Sequence, residues 1–546
     1  MKVMFLKILC IVAFVIMPLI VTPAYSDRGE TTSATRNDMG ELTDDEFLEM
    51  VQKLAFDFFW EEANAVNGLI RDRNTSWSPS SIASVGFGLT AIGIGIERGW
   101  ISREQGRERV LNTLDTFWTK PQSRNAQGYI GYNGFFYHFI DMNTAQRVWN
   151  SELSSIDTAL LLAGILYARE YFIGEDEDEQ RIRALADSIY FRIDWNWMRN
   201  WEPTLTMGWT REEGFISHRW IGYNEAMILY ILAAGSPTQA LADPRRSWNG
   251  WTSGYSWETH YDYSFVVFPP LFGHQYSHAW IDFRYIKDEY MRNRGITYFE
   301  NSRRATLANR EYCIENPGNF VGYGENVWGI TASDIPGGYL ARGAPPPMND
   351  DGTIAPTAAG GSVPFTPDES IAALRHMYNE YRDDLWGPYG FRDAFNLTQN
   401  WFAPDYIGID QGAILLMIEN YRTGHVWDVF MKNEYVHAGL QAVGFETISD
   451  VKEQELFHPE SYTLEQNFPN PFNPVTTIRF TIPEQGNVNL SVYNLVGQRV
   501  VLLLDQVKQP GEYSVDFSAD NLPSGVYHYT IKINDFTETK TMVYVK

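Results

Sequence analysis

Two kinds of apolar pattern alternate along most of the chain. In segments 43–59, 102–118, 176–198, 297–315, 367–385 and 425–442 a single apolar stripe at helical spacing runs through charged residues, which predicts helices with one buried face. In SIASVGFGLTAIGIGIERGW (81–100), LSSIDTALLLAGILYAREYF (153–172), GYNEAMILYILAAG (222–235) and GIDQGAILLMIENY (408–421), small and apolar residues cover the whole circumference, which predicts helices packed on several sides. Capping boxes at Thr43/Glu46 and Ser102/Gln105 mark two of the starts. Buried helices alternating with half-exposed ones predict two concentric rings of antiparallel helices, an α/α toroid. The inner helices of such a ring all run the same way, so the loops that feed their N-termini lie at one end. Links 120–150, 199–221, 236–275, 318–365 and 387–407 are long, and long loops inside a compact module are usually functional.

After Phe445 the pattern changes. A polar, acidic linker (447–460) precedes runs of period two, TTIRFTIP, VNLSVYNLVG, GEYSVDFSA, GVYHYTIKI and TKTMVYVK, separated by Gly, Pro and Asn turns, which predict a small β-sandwich over 461–546. At the other end, Lys2 and Lys7 stand before an apolar run closing on Ala24 and Ser26, the pattern of a secretory signal over 1–26. A polar linker (27–42) then leads to the helical module, 43–446.

Composition narrows the function. A net charge of −25 repels phosphate backbones and anionic membrane surfaces, so nucleic acid is not an expected partner. The mature chain keeps one cysteine, Cys313, and hence no internal disulfide. Aromatics are 15% of the residues, 18 of them Trp, and aromatic faces stack well on sugar rings. A neutral polysaccharide or oligosaccharide bound by a monomer is the expected substrate.

Cleaving a glycosidic bond requires an acid to protonate the leaving oxygen and a carboxylate to activate water or attack the sugar. Carboxylates at the expected mouth are therefore the candidates. Glu152 and Asp157 open an apolar helix in WNSELSSIDTALL; Glu152 reads equally as a helix cap, whereas Asp157 sits among apolar neighbours. Glu225, entering an apolar helix after aromatic loop residues, is the preferred general acid, since partial burial holds a carboxyl protonated. Asp393, in a Gly- and aromatic-rich loop, reads as a general base or a turn cap, and Asp410 as a catalytic group or a helix cap. Glu325 and Asp334 in the longest loop, with Trp220, Tyr223, Trp328, Trp401 and Tyr406, are candidates to bind sugar. His274 and His278 are spaced i, i+4, but without the glutamate of a zinc-protease helix they read as sugar-binding rather than metal-binding, so neither metal nor cofactor is expected.

SELSSIDTALL, GYNEAMILYILA, HQYSHAWIDFR, YGENVWGITASD, YGFRDAFN and IGIDQGAILLMIENYR, in this order over residues 45–446, resemble the signature blocks of the glycoamylase-like domain that includes glycoside hydrolase family 144. The resemblance implies an (α/α)6 barrel, no cofactor and action on β-1,2-glucan, typically endo and anomer-inverting, with exo release of a disaccharide an alternative. It maps the acid onto Glu225 and the base onto Asp393 or Asp410. LEQNFPNPFNPVTTIRF, VYNLVGQRV, LPSGVYHYTI and the terminal KTMVYVK resemble the type A sorting domain of the type IX secretion system, an immunoglobulin-like β-domain, and imply that secretion machinery as a partner and a secreted or surface location. A hydrolase of another glucan on the same toroid is a further alternative, and two other functions fit the same pattern less well. A lyase for acidic polysaccharides wants cations at the mouth, and a non-catalytic glycan-binding protein has no use for carboxylates in apolar surroundings.

Overall fold

The computed structural model describes residues 42–448 and 462–546, apart from 465, 468, 484, 485, 509, 510, 520, 521 and 535. The expected signal sequence and, except for Leu42, the linker after it lie outside the described residues, as does 449–460 of the second linker.

Six apolar helices follow one another around a closed inner ring: Ile82–Glu97, Ser155–Tyr171, Met227–Gly235, Tyr276–Trp280, Pro356–Gly360 and Gly408–Arg422. The first three pack in sequence. Ile228 N donates to Ser277 Oγ (3.0 Å), tying the third helix to the fourth, and Gln275 Nε2 donates to the Ala358 carbonyl (2.8 Å), tying the fourth to the fifth. Pro356–Gly360 packs on Gly408–Arg422, which packs on Ile82–Glu97 and closes the ring. Outside it lie amphipathic helices, among them Asp44–Glu61, Arg103–Thr119, Glu177–Phe191, Tyr298–Glu315, Pro367–Leu385 and Glu434–Val443. The Ser102/Gln105 capping box forms as expected.

Close backbone approach explains the glycines of the inner helices. A Cβ on Gly86 would lie 2.2 Å from the Leu160 carbonyl oxygen, and one on Gly164 would lie 2.0 Å from that of Gly86, so the first two inner helices touch backbone to backbone. Gly164→Ala is expected to lower stability by about 2 kcal/mol or more, although alanine is the better helix former, because it overpacks a rigid contact. Thermal unfolding of the variant measures it.

Where the elements depart from the sequence pattern, the reasons are local. The fourth and fifth inner helices have five residues each, too few to show a period, and the fifth lies inside the expected loop 318–365. The expected helix 222–235 begins only at Met227: Gly222 takes φ 89° and the Asn224 side chain accepts from Ala226 N, which makes 222–226 a turn. Segment 425–442 divides into His425–Phe430 and Glu434–Val443, the second capped by Asn433, and Asp194 caps a separate turn, Trp195–Arg199, at the end of 176–198. Residues 447 and 448, expected in the linker, belong to the helical module: Glu446–Thr447 pairs with Ile286–Lys287, and Ile448 is buried.

The C-terminal domain stacks a three-stranded antiparallel sheet (Thr463–Leu464, Val475–Ile482, Gly511–Ser518) on a four-stranded one (Arg499–Lys508, Gly486–Tyr493, Gly525–Ile533, Phe536–Tyr544). Alternate residues such as Ile478, Phe480, Leu490, Tyr529 and Ile531 fill the space between them. Arg499–Lys508 was not among the expected strands because RVVLLLDQVK does not alternate. Among the described residues no helix is long and apolar enough to cross a membrane.

Candidate active site

Asp157, Glu225 and Asp410 lie in or just before the first turns of the inner helices Ser155–Tyr171, Met227–Gly235 and Gly408–Arg422, as the ring geometry predicts. Ser154 is the N-cap of Ser155–Tyr171. Its Oγ accepts from Asp157 N and donates to Asp157 Oδ2 (2.5 Å), which fixes that carboxyl in the first turn. Glu152 lies before the helix and does not cap it. Instead its Oε1 meets His138 Nδ1 at 3.0 Å, while His138 Nε2 faces Asp157 Oδ1 at 3.6 Å. Burial opposes a charge on His138, but Asp157 and Glu152 outweigh it and hold its pKa up at about 9. His138 is thus an imidazolium between two carboxylates. The three side chains converge closely enough to hold a metal ion, and their contacts with one another already satisfy both imidazole nitrogens.

A second cation organises the opposite wall. Arg73 Nη1 donates to Asp334 Oδ2 (3.1 Å) and Asp405 Oδ2 (3.0 Å), and Arg73 pairs its backbone with Ile407 at the entry to the last inner helix. Next to it Asp72 is enclosed, and burial lifts its pKa despite Arg73 and His138. Beside these groups Asp393 and Asp410 are buried and lie close enough to interact through their carboxyls. Asp393 Oδ2 also accepts from Asp334 N (2.6 Å). Among the described residues no other group hydrogen-bonds Asp393 Oδ1 or Asp410 Oδ2. Burial raises the pKa of both aspartates, and the charge of Asp393 adds to it at Asp410, so the pair retains one shared proton. Burial and Asp393 also lift Asp334, against Arg73.

Glu225 stands alone. It lies in the turn before Met227, partly exposed, and its Oε2 has no hydrogen-bond partner among the described residues. Burial lifts its pKa to about 7, against its own backbone N–H and with help from Asp157. Because the helix starts later than expected, the carboxyl is outside the first turn, where the helix N-terminus would favour its charged form. Burial, and after it the charges of Asp410, Glu225 and Asp393, hold the Tyr276 hydroxyl well above its ordinary range.

The pKa shifts carry a stability prediction. Glu225 and His138 both have folded pKa values above their ordinary ones, so the stability each contributes is complete below about 4.5 and 6.5 respectively and is lost as pH rises through about 7 and about 9. The midpoint of thermal unfolding is expected to be lower at pH 9 than at pH 6, a difference that Glu225→Gln reduces.

Of the expected site residues, Glu152, Asp157, Asp334, Asp393 and Asp410 gather in this cluster. Several expected sugar-binding residues do not reach it. His274 and His278 are fully buried: His274 bonds the Phe268 carbonyl and His278 the Ser302 hydroxyl, and burial lowers the pKa of both, that of His274 to about 3. They are neutral core residues. Trp328 and Tyr406 are enclosed, Trp220 donates to Ser155 Oγ (2.9 Å) inside the ring, and Tyr223 packs on His274. Trp401 is half-buried in a short hairpin, and Glu325 is exposed in an ion pair with Arg310 (2.8 Å). The correction has a simple cause: a thick double ring has more interior than its helices alone can fill, and loop aromatics supply the rest. Sequence reasoning missed Asp72, Arg73, His138, Asp405 and Tyr276. The first two lie in the link 62–81, which feeds an inner helix just as the marked loops do, and that position was the available signal.

Comparison with known proteins agrees with the architecture. Residues 217–434 match a family model described as putative glucoamylase, and residues 466–546 match a secretion system C-terminal sorting domain. A curated protein of Parabacteroides distasonis, an exo beta-1,2-glucooligosaccharide sophorohydrolase (non-reducing end), is 37% identical over 452 residues, or 77% of this chain. The match spans 60% of that relative's length. The crystal structure of a putative glucoamylase from Bacteroides uniformis superposes with a TM-score of 0.69 at 37% identity, covering 75% of this chain and 99% of that one. An endo-beta-1,2-glucanase from Chitinophaga pinensis, in complex with sophorotriose and glucose, gives 0.68 at 33% identity, covering 74% and 99%.

Proposed function

The chain belongs to the glycoamylase-like family, and from that premise we propose that it is a glycoside hydrolase that cleaves β-1,2-glucan, endo-acting and anomer-inverting. What supports this reading is one acid without a partner for its buried oxygen among the described residues, Glu225, whose pKa burial lifts to about 7, and a buried aspartate pair, Asp393 and Asp410, that shares a proton; in this reading Asp410 holds that proton and Asp393 is the carboxylate. Glu225 supplies the proton to the departing sugar, and Asp393 accepts one from the attacking water. Asp157, Glu152 and His138, with Asp334 and Arg73, form polar walls suited to sugar hydroxyls. The closed ring of six inner helices supports reading the module as an (α/α)6 barrel, and the facing sheets of the C-terminal domain support an immunoglobulin-like sandwich. The sorting domain marks the protein for type IX secretion to the cell surface or beyond.

A second reading, exo-release of a disaccharide, is favoured by the name of the Parabacteroides relative. Incubating the protein with linear β-1,2-glucan, laminarin and carboxymethylcellulose separates the readings. A ladder of oligosaccharides from the β-1,2-glucan alone is expected; a single disaccharide from the first time point means exo action, and no cleavage refutes both. Proton NMR of the first products, showing the α anomer, tests inversion.

A further inference from the structure

We infer that a second glucan-binding subsite, framed by Trp77 and Trp149, flanks the catalytic centre and holds sugar units remote from the cleaved bond. This rests on the proposed β-1,2-glucan hydrolase reading. Two segments have one side in the catalytic centre and the other in a separate cleft of about 560 Å³. In 71–79, Asp72 and Arg73 belong to the carboxylate cluster while Arg71, Trp77 and Ser78 line the cleft; in 138–149, His138 belongs to the cluster while Asp141 and Trp149 line the cleft. The rings run continuously from one to the other: His138 stacks on Phe139 at 3.9 Å, and Phe139 packs on Trp149 at 5.3 Å.

Trp77 is 70% exposed and Trp149 64%. Trp201 in the loop 199–221 is also exposed, but only Trp77 and Trp149 among the exposed tryptophans line the cleft. Trp149 also takes φ 53°, a left-handed conformation unfavourable for a bulky side chain that it shares with Trp201. The loop carrying Trp77 is held in shape before any ligand arrives: Arg71 Nη1 donates to the carbonyls of Thr75 (3.2 Å) and Ser76 (3.1 Å), and its Nε pairs with Glu62 (3.2 Å). Preorganised, solvent-facing aromatic surface is costly to keep unless it binds something.

The polar groups say what. Arg71 is the one cation in the lining, and it is already neutralised by Glu62. Glu61 and Asp141 add negative charge, which repels anionic ligands. Indole faces beside carboxylate and amide groups suit an uncharged ligand with alternating apolar faces and hydroxyl edges, which is a run of glucose units.

The test compares wild type with Trp77→Ala/Trp149→Ala on long linear β-1,2-glucan and on the shortest oligosaccharide cleaved. The ratio of kcat/KM for the polymer to that for the short substrate is expected to fall about 10-fold, through KM rather than kcat, and Trp77→Phe/Trp149→Phe, which keeps two rings, to recover part of it. In an inactive Glu225→Gln background the double alanine variant is expected to bind the polymer about 10-fold more weakly by calorimetry. An active wild type with an unchanged ratio and unchanged polymer binding overturns the subsite alone. A wild type that cleaves no β-1,2-glucan overturns the proposed function, and the subsite with it.

Discussion

Glu225→Gln is expected to lower kcat on linear β-1,2-glucan by about 10³-fold, with KM changed only a few-fold. Glutamine keeps the volume of the side chain and a hydrogen-bonding edge but cannot release a proton, so the loss falls on the step in which the leaving oxygen needs one. The structure favours this residue over the other carboxyls for two reasons. Glu225 is the only one of them that combines a raised pKa near neutrality with no ion-pair or hydrogen-bond partner for its buried oxygen among the described residues. An acid tied to a cation, as Glu152 is to His138, is held below its ordinary range and carries no proton to give. The same shift sets the pH profile: kcat/KM of the wild type is expected to fall as pH rises through about 7, because the ionised form of Glu225 is inactive. Initial rates by reducing-sugar assay across pH 5 to 9 check this directly; a loss below ~10-fold in the variant would move the acid elsewhere.

Much of this site is legible in the sequence, for a geometric reason. Once fully apolar helices are seen to alternate with one-faced ones, the ring follows, and with it the rule that inner-helix N-termini share one end. That rule is enough to select Asp157, Glu225, Asp393 and Asp410 from many acids. What it cannot supply is direction across the ring. Nothing in the spacing shows that His138, amid a run of aromatics, faces Asp157 at 3.6 Å, or that Arg73 reaches Asp334 and Asp405 more than 250 positions away. The aromatics mislead for a related reason. Loop position predicts exposure poorly when loops fold back over a wide ring, so Trp328 and Tyr406 are enclosed whereas Trp77, in an unmarked link, is open. The histidines at 274 and 278 carry the spacing of a ligand pair, yet burial rather than spacing decides their chemistry.

The aspartate pair yields the sharpest contrast. Asp393→Asn is expected to reduce kcat by about 10³-fold, whereas Asp410→Asn is expected to cost about 10-fold or less. The asymmetry follows from the proposed place of the shared proton, on Asp410. Asp410 acts as donor to Asp393, and an asparagine at 410 donates through its amide in the same direction, so Asp393 keeps its charge, its second hydrogen bond from Asp334 N and its place. An asparagine at 393 removes the only carboxylate of the pair and leaves Asp410 protonated, with nothing to accept a proton from water. The pH response separates the two variants further. In the wild type, alkaline pH forces charge onto a buried pair already carrying one, which destabilises the fold. Asp410→Asn removes that second ionisation, so its unfolding midpoint is expected to fall less than that of the wild type between pH 7 and pH 10. Equal losses of kcat in both variants would mean that the pair acts as a unit. A larger loss in Asp410→Asn would place the base at the N-terminus of the last inner helix instead, with Asp393 as the residue that holds it in position.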